Sequence, residues 1–155
     1  MFDAALRPLV DRILDPVGRM LARCGVGANK VSVVGFAFGI GAAMAVAAGA
    51  TVTALVLLAA NRLCDGLDGA VARRDGITSL GGFLDITCDF IFYSAVILGF
   101  ALAEPEQNSM AATFLIFSFM GTGASFLAFA AVAEKHGISS EAQGQKAFYY
   151  LEGLA

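Results

Sequence analysis

The chain has 155 residues, of which 58% are apolar and only 15% charged, and its mean hydropathy is +0.76. A soluble domain is about a quarter charged, so this composition excludes an ordinary soluble enzyme and points to an all-α membrane protein. The net charge of −3 gives no reason to expect a nucleic-acid partner.

Residues 2–23 predict an amphipathic helix. Phe2, Leu6, Leu9, Val10, Ile13, Leu14, Val17, Met20 and Leu21 recur at helical spacing, with Asp3, Arg7, Asp11, Arg12, Asp15, Arg19 and Arg23 on the other side. The pattern fits a helix lying in the membrane interface, broken near Pro16. Charge throughout and the lack of an apolar core distinguish this stretch from a secretory signal peptide.

Four membrane spans are expected, at about 31–50, 51–73, 81–103 and 110–133, after a short turn at Gly25–Lys30. Gly35 and Gly39 give the first span a small-residue packing face. Glu104–Asn108 predicts a polar break, and the Phe-rich fourth span reads as lipid-facing or packing surface. The last nine residues, 147–155, are apolar but too few for a bilayer core that needs roughly 20. They are expected to begin a fifth helix that the chain does not finish. Cys24, Cys64 and Cys88 have no CxxC spacing and no nearby histidine, so they read as small apolar filler. Lys and Arg fall at Arg7–Lys30, Arg62–Arg74, Lys135 and Lys146. The positive-inside tendency then puts the N-terminal helix, the Arg73–Arg74 loop and Lys135 in the cytoplasm.

The chemistry concentrates between Asp65 and Asp89. Asp65 and Asp68 share one helix face by their i, i+3 spacing, and Asp85 and Asp89 share another by i, i+4. Both pairs fall at the cytoplasmic ends of adjacent antiparallel spans, so they are able to face each other. Converging carboxylates repel strongly at low dielectric. Hard divalent cations remove that repulsion, and Mg²⁺ is the usual choice where phosphates are present. Arg62 lies one turn before Asp65 and is a candidate either to pair with it or to meet an anionic acceptor.

The pattern Asp65-x-x-Asp68-Gly69-x-x-Ala72-Arg73, followed by Gly81-x-x-x-Asp85-x-x-x-Asp89, resembles the signature of the CDP-alcohol phosphotransferase family. All eight fixed positions are present, and the seven residues between Arg73 and Gly81 make the connecting loop one residue shorter than usual. The resemblance implies a polytopic bundle, usually of six helices, that works as a homodimer in the cytoplasmic membrane of a bacterial-type cell. It also implies transfer of a phosphatidyl group from a CDP-linked lipid, most often CDP-diacylglycerol, to a small alcohol acceptor with release of CMP.

Carried over by position, the resemblance makes Asp65, Asp68 and Asp85 ligands of a Mg²⁺ (or Mn²⁺) pair. Asp89 would complete the second ion's site and act as general base. Gly69 would let the nucleotide approach the backbone and Arg73 would hold the diphosphate, with Thr78 or Ser79 reaching it from the loop. The segment Asn29-Lys30-Val31-Ser32 resembles the family's cytidine-binding stretch. A plain helix cap at Asn29 or Ser32 is an equally good and compatible reading.

Three other readings compete. Aspartates that only cap helices or pair with Arg62 and Arg73 leave too many negative charges uncompensated. A cation channel or transporter does not need Gly69-x-x-Ala72-Arg73, where small residues admit a bulky ligand and arginine reads phosphate. A polyprenyl transferase also uses aspartate-rich pairs with Mg²⁺, at different spacing.

Overall fold

The computed structural model describes residues 2–135, with side chains from residue 12 onward except at residue 134. The region after Lys135, including the expected start of a fifth span, lies outside the described residues. Five helices follow one another: α1 (Phe2–Arg23), α2 (Ala28–Ala47), α3 (Thr51–Asp75), α4 (Ser79–Ala103) and α5 (Pro105–Lys135). There is no strand among the described residues.

Several boundaries correct the sequence-based expectations. α1 runs through Pro16 without a break. Proline removes one backbone bond, to the carbonyl of Arg12; Arg12 and Pro16 are both exposed, so the lost bond does not fall in a packed core. α2 begins at Ala28 rather than Val31, and its N-cap is Gly27, with no side-chain cap. Capping by Asn29 or Ser32 is therefore overturned, because both already lie inside the helix. The polar break at 104–108 shrinks to Glu104, since Pro105 opens α5. A proline fits a first helical position, where its missing N–H has no partner to lose.

α2, α4 and α5 are long and apolar enough to cross a membrane. α3 is longer than α2 but carries Arg62, Asp65, Asp68, Arg73, Arg74 and Asp75. It lies antiparallel to α2 along their whole length. Val46 packs by Ala54 near one end, Gly35 faces Cys64 further along, and Ser32 bonds Asp68 near the other. The reversal between them is tight, and Gly49 takes it at φ +71°, a conformation that costs glycine little. α4 runs parallel to α2, with Phe92 on Gly39 and Gly99 on Ala43. α5 returns along α4, where Gly123 meets Phe90 and Phe119 stacks 5.8 Å from Tyr93.

α1 is seated on the motif helix. Leu14 fills the space over Gly66, and a side chain on Gly18 would fall 2.8 Å from the Ala70 Cβ. Leu14 is buried in this contact, whereas Ile13 and Met20 remain exposed at 65% and 59%. The helix thus keeps an apolar face that the other described residues do not cover, as expected for a membrane-surface element. α2 packs on both α3 and α4, and α1 covers another side of α3. Of α3's polar side chains Asn61 and Asp68 are buried, whereas Arg62, Arg73, Arg74 and Asp75 remain exposed.

Candidate active site

The halves of α3 and α4 nearer the 76–78 connection hold the four aspartates, with Asp65 and Asp89 close to mid-helix. Asp65, Asp85 and Asp89 each present a carboxylate oxygen, and these oxygens all lie within 4.8 Å of one another. Asp68 lines the same pocket, together with Ser32, Gly35, Phe36, Asn61 and Cys88. Asp68 is buried and is oriented differently from the other three: its Oδ2 accepts a 2.6 Å hydrogen bond from Ser32 Oγ on α2. The two halves of the motif meet as their spacing predicts, and α2 contributes a third wall.

The start of α4, one turn before Asp85, is built around Gly81. Thr78 caps α4, its Oγ1 accepting from Gly81 N at 3.0 Å. A Cβ at Gly81 would come to 3.1 Å from that hydroxyl and 3.2 Å from Asn29 Oδ1. Glycine therefore lets Asn29, Thr78 and the start of α4 sit together. Ser79 is the exposed first residue of α4. Gly69 differs from Gly81, because a Cβ there would make only an ordinary 3.6 Å contact with Arg73 Nη1. Among the described residues no packing contact demands a glycine at 69.

Two of the three arginines of α3, Arg62 and Arg73, have separate partners. Arg73 Nη2 donates to Asp15 Oδ1 at 3.0 Å, which ties the motif helix to α1. Arg62 points into the acidic group. Its Nη2 lies 2.9 Å from Asp89 Oδ1, its Nη1 3.6 Å from Asp65 Oδ2, and its Nε donates to Asn61 Oδ1 at 2.8 Å. Of its two carboxylate partners Asp89 is the nearer, where the sequence had suggested only Asp65. Tyr93 completes this corner, donating to Asp89 Oδ2 at 3.3 Å and accepting from Arg62 Nη1 at 3.0 Å.

Asn61, Tyr93 and Asp15 are the partners that sequence reasoning did not single out. Asn61 had a signal, as a polar residue deep in an apolar helix segment. Tyr93 had a weaker one, one turn beyond Asp89 on the same face. Asp15 had none, since it is one of seven charges on an amphipathic helix.

A profile of CDP-alcohol phosphatidyltransferases matches residues 26–151. The chain belongs to the CDP-alcohol phosphatidyltransferase family. It is 49% identical to inner membrane protein YnjF of Escherichia coli over 154 residues, covering 99% of this chain and 75% of that protein. It is 32% identical over 116 residues to an archaetidylinositol phosphate synthase of Pyrococcus horikoshii. A second archaetidylinositol phosphate synthase, from Methanothermobacter thermautotrophicus, is 38% identical over 94 residues. These two matches cover 74% and 60% of this chain, and 62% and 47% of the archaeal proteins. No solved structure matches the chain.

Membership makes this a membrane enzyme of phosphatidyl transfer from a CDP-alcohol. The family is generally metal-dependent, and the grouped oxygens of Asp65, Asp85 and Asp89 suit an ion that prefers hard oxygen ligands.

Proposed function

We propose that the protein transfers a phosphatidyl group from a CDP-linked lipid, CDP-diacylglycerol in the first instance, to a small alcohol acceptor. The observation that carries this reading is the meeting of Asp65, Asp85 and Asp89 oxygens within 4.8 Å between α3 and α4, with a glycine one residue after Asp68 that contacts among the described residues leave unexplained. In the reaction the acceptor oxygen forms a bond to the lipid-side phosphorus. The bond from that phosphorus to the bridging oxygen breaks, and CMP leaves with the electron pair. The acceptor's hydroxyl proton passes to Asp89, the general base.

Asp65, Asp68, Asp85 and Asp89 would hold two Mg²⁺ or Mn²⁺ ions. Such ions supply charge neutralisation at the diphosphate, the main demand of phosphoryl transfer. The protein's own residues do the positioning. Gly69 leaves the α3 backbone open to the nucleotide, and the absence, among the described residues, of any close neighbour demanding glycine there supports this role. Asn29 and Ser32 face the nucleotide end from α2. Thr78 and Ser79 reach the diphosphate from the loop, and Arg73 reads it from the end of α3. Ser32 also orients Asp68 through their 2.6 Å bond.

Because α3 lies along α2 over its whole length, it crosses the bilayer with α2. Its charged residues gather toward its C-terminal end, where the positive-inside tendency puts the site at the cytoplasmic face. The membrane is the inner one of a bacterial-type cell, and a homodimer is the expected assembly. The E. coli relative's description as an inner membrane protein supports that location.

The test is CMP release by purified protein in lipid nanodiscs. CDP-diacylglycerol is offered with a panel of alcohols that includes inositol phosphate, the group in the archaeal relatives' names. Activity should disappear in EDTA and return with Mg²⁺ or Mn²⁺. Full activity in chelator would remove the metal site. Failure of every CDP-lipid to bind would remove the donor assignment.

A further inference from the structure

We propose that Arg62 and Tyr93 are positioning residues that hold Asp89 by both carboxylate oxygens, and that Arg62 limits how strongly the acidic pocket takes up a divalent cation. The first half rests on the reading of Asp89 as the base. The second does not, because it concerns cation binding alone.

Arg62 is fixed by neutral groups before any carboxylate is considered. Its Nε donates to Asn61 Oδ1 at 2.8 Å, and buried Asn61 is itself held by a 2.9 Å bond from its Nδ2 to the Gly35 carbonyl of α2. The guanidinium carbon also lies 5.1 Å from the Phe92 ring centroid and 5.4 Å from that of Tyr93, within range of cation–π attraction. Phe92 is only 3% exposed, so this platform cannot swing away. The cation is therefore part of the frame, and Asp89 is oriented against it.

Asp89 is gripped on both sides. Oδ1 accepts from Arg62 Nη2 at 2.9 Å, Oδ2 accepts from the Tyr93 hydroxyl at 3.3 Å, and Arg62 Nη1 donates to that hydroxyl at 3.0 Å. The three groups close a ring that sets the carboxylate plane. Each carboxylate oxygen has two acceptor directions, so one on each oxygen remains for the pocket. Lysine would supply the charge but not the fork that reaches Asn61, Tyr93 and Asp89 together.

The same guanidinium lies 2.9 Å from Asp89 and 3.6 Å from Asp65, two of the three grouped carboxylates. A fixed positive charge at that range opposes the entry of another cation. Removing it should tighten cation binding, even though it loosens Asp89.

The test uses the full chain in nanodiscs. Mn²⁺ binding is followed by electron paramagnetic resonance without substrates, and CMP release gives kcat and donor KM. Arg62→Gln should bind Mn²⁺ about tenfold more tightly, while kcat falls roughly 10-fold to 100-fold and donor KM stays within about twofold. Arg62→Lys should keep the parent Mn²⁺ affinity and still lose kcat. Tyr93→Phe should leave Mn²⁺ affinity alone and lower kcat several-fold.

A merely structural role would lower thermal stability, kcat and donor binding together, with no gain in Mn²⁺ affinity. Unchanged or weaker Mn²⁺ binding in Arg62→Gln overturns the proposal, as does full kcat in Arg62→Lys. If Arg62→Gln does not fold, Arg62→Met decides the Mn²⁺ half by the same criterion, and Arg62→Lys and Tyr93→Phe decide the kcat half. A parent protein inactive with every CDP-lipid would overturn the proposed function, and the Mn²⁺ comparison would still decide whether Arg62 and the pocket are coupled.

Discussion

Gly39 is the point where membrane packing and the site are most directly joined. A Cβ added there would lie 2.6 Å from Phe92 Cδ2, 3.0 Å from Phe92 Cγ and 3.1 Å from Asn61 Nδ2. Carbon atoms in contact sit about 3.5–4.0 Å apart, so the ring or the helices must move by about 1 Å. Phe92 is 3% exposed and has no free direction to take. Overpacking of this kind costs about 1–3 kcal/mol, partly offset by the roughly 1 kcal/mol that alanine gains over glycine in a helix. Gly41→Ala is the matched control, because it receives the same helix gain while its Cβ meets only Leu57 Cδ1 at an ordinary 3.5 Å. The two variants should therefore differ by the full ~1–3 kcal/mol in unfolding followed by thermal melting in detergent. Phe92 and Asn61 are also the neutral anchors of Arg62, so Gly39→Ala should lower kcat while leaving donor KM nearly unchanged. Indistinguishable melting and turnover in the two variants would refute the reasoning.

Asp68→Asn should abolish metal-dependent CDP-lipid binding, whereas Asp89→Asn should retain donor binding and lose about 10²-fold in turnover; near-parental turnover in Asp89→Asn rules out its role as base. Ser32→Ala removes the 2.6 Å bond to Asp68 and should weaken donor binding by roughly 10-fold, the scale of one hydrogen bond to a charged group; an unchanged donor KM would show that Ser32 does not orient Asp68. For topology, single cysteines are placed at Glu106 or Asp75 in a background lacking Cys24, Cys64 and Cys88. An impermeant thiol reagent on intact cells should label the first and spare the second, and the reverse would put the pocket on the outer face.

What the sequence made legible follows from the kind of signal each feature leaves. Helices α2, α4 and α5 announce themselves by long apolar runs. The aspartate spacing forecasts that carboxylates of α3 and α4 meet, because i, i+3 and i, i+4 positions share a helix face. Helix ends were less legible: Gly27 caps α2 through backbone alone, which leaves no side-chain mark, so the more visible Asn29 and Ser32 looked like the cap. Pro16 looked like a break because its cost is a lost bond, but that bond does not fall in a packed core. Partners far apart in sequence were hidden altogether. The Arg73–Asp15 pair spans 58 positions and Ser32–Asp68 spans 36, and no local spacing rule connects residues at such separations.

The exposed and buried faces of α3 explain how a helix with so many polar residues fits a membrane protein. An unpartnered polar group in an apolar region costs several kcal/mol. Here the small residues of α2 let the two backbones approach closely: a Cβ on Gly35 would fall 2.8 Å from that of Cys64. That closeness brings the Gly35 carbonyl within 2.9 Å of Asn61 Nδ2 and the Ser32 hydroxyl within 2.6 Å of Asp68. Asn61 in turn holds Arg62, and Arg62 meets Asp65 and Asp89. The chain of contacts thus runs from glycines with no chemistry of their own to the carboxylates. Enlarging the small residues of α2 should disturb the acidic pocket before it unfolds the bundle, since the pocket depends on several of these contacts at once while the packing of α4 on α5 meets them only at Tyr93.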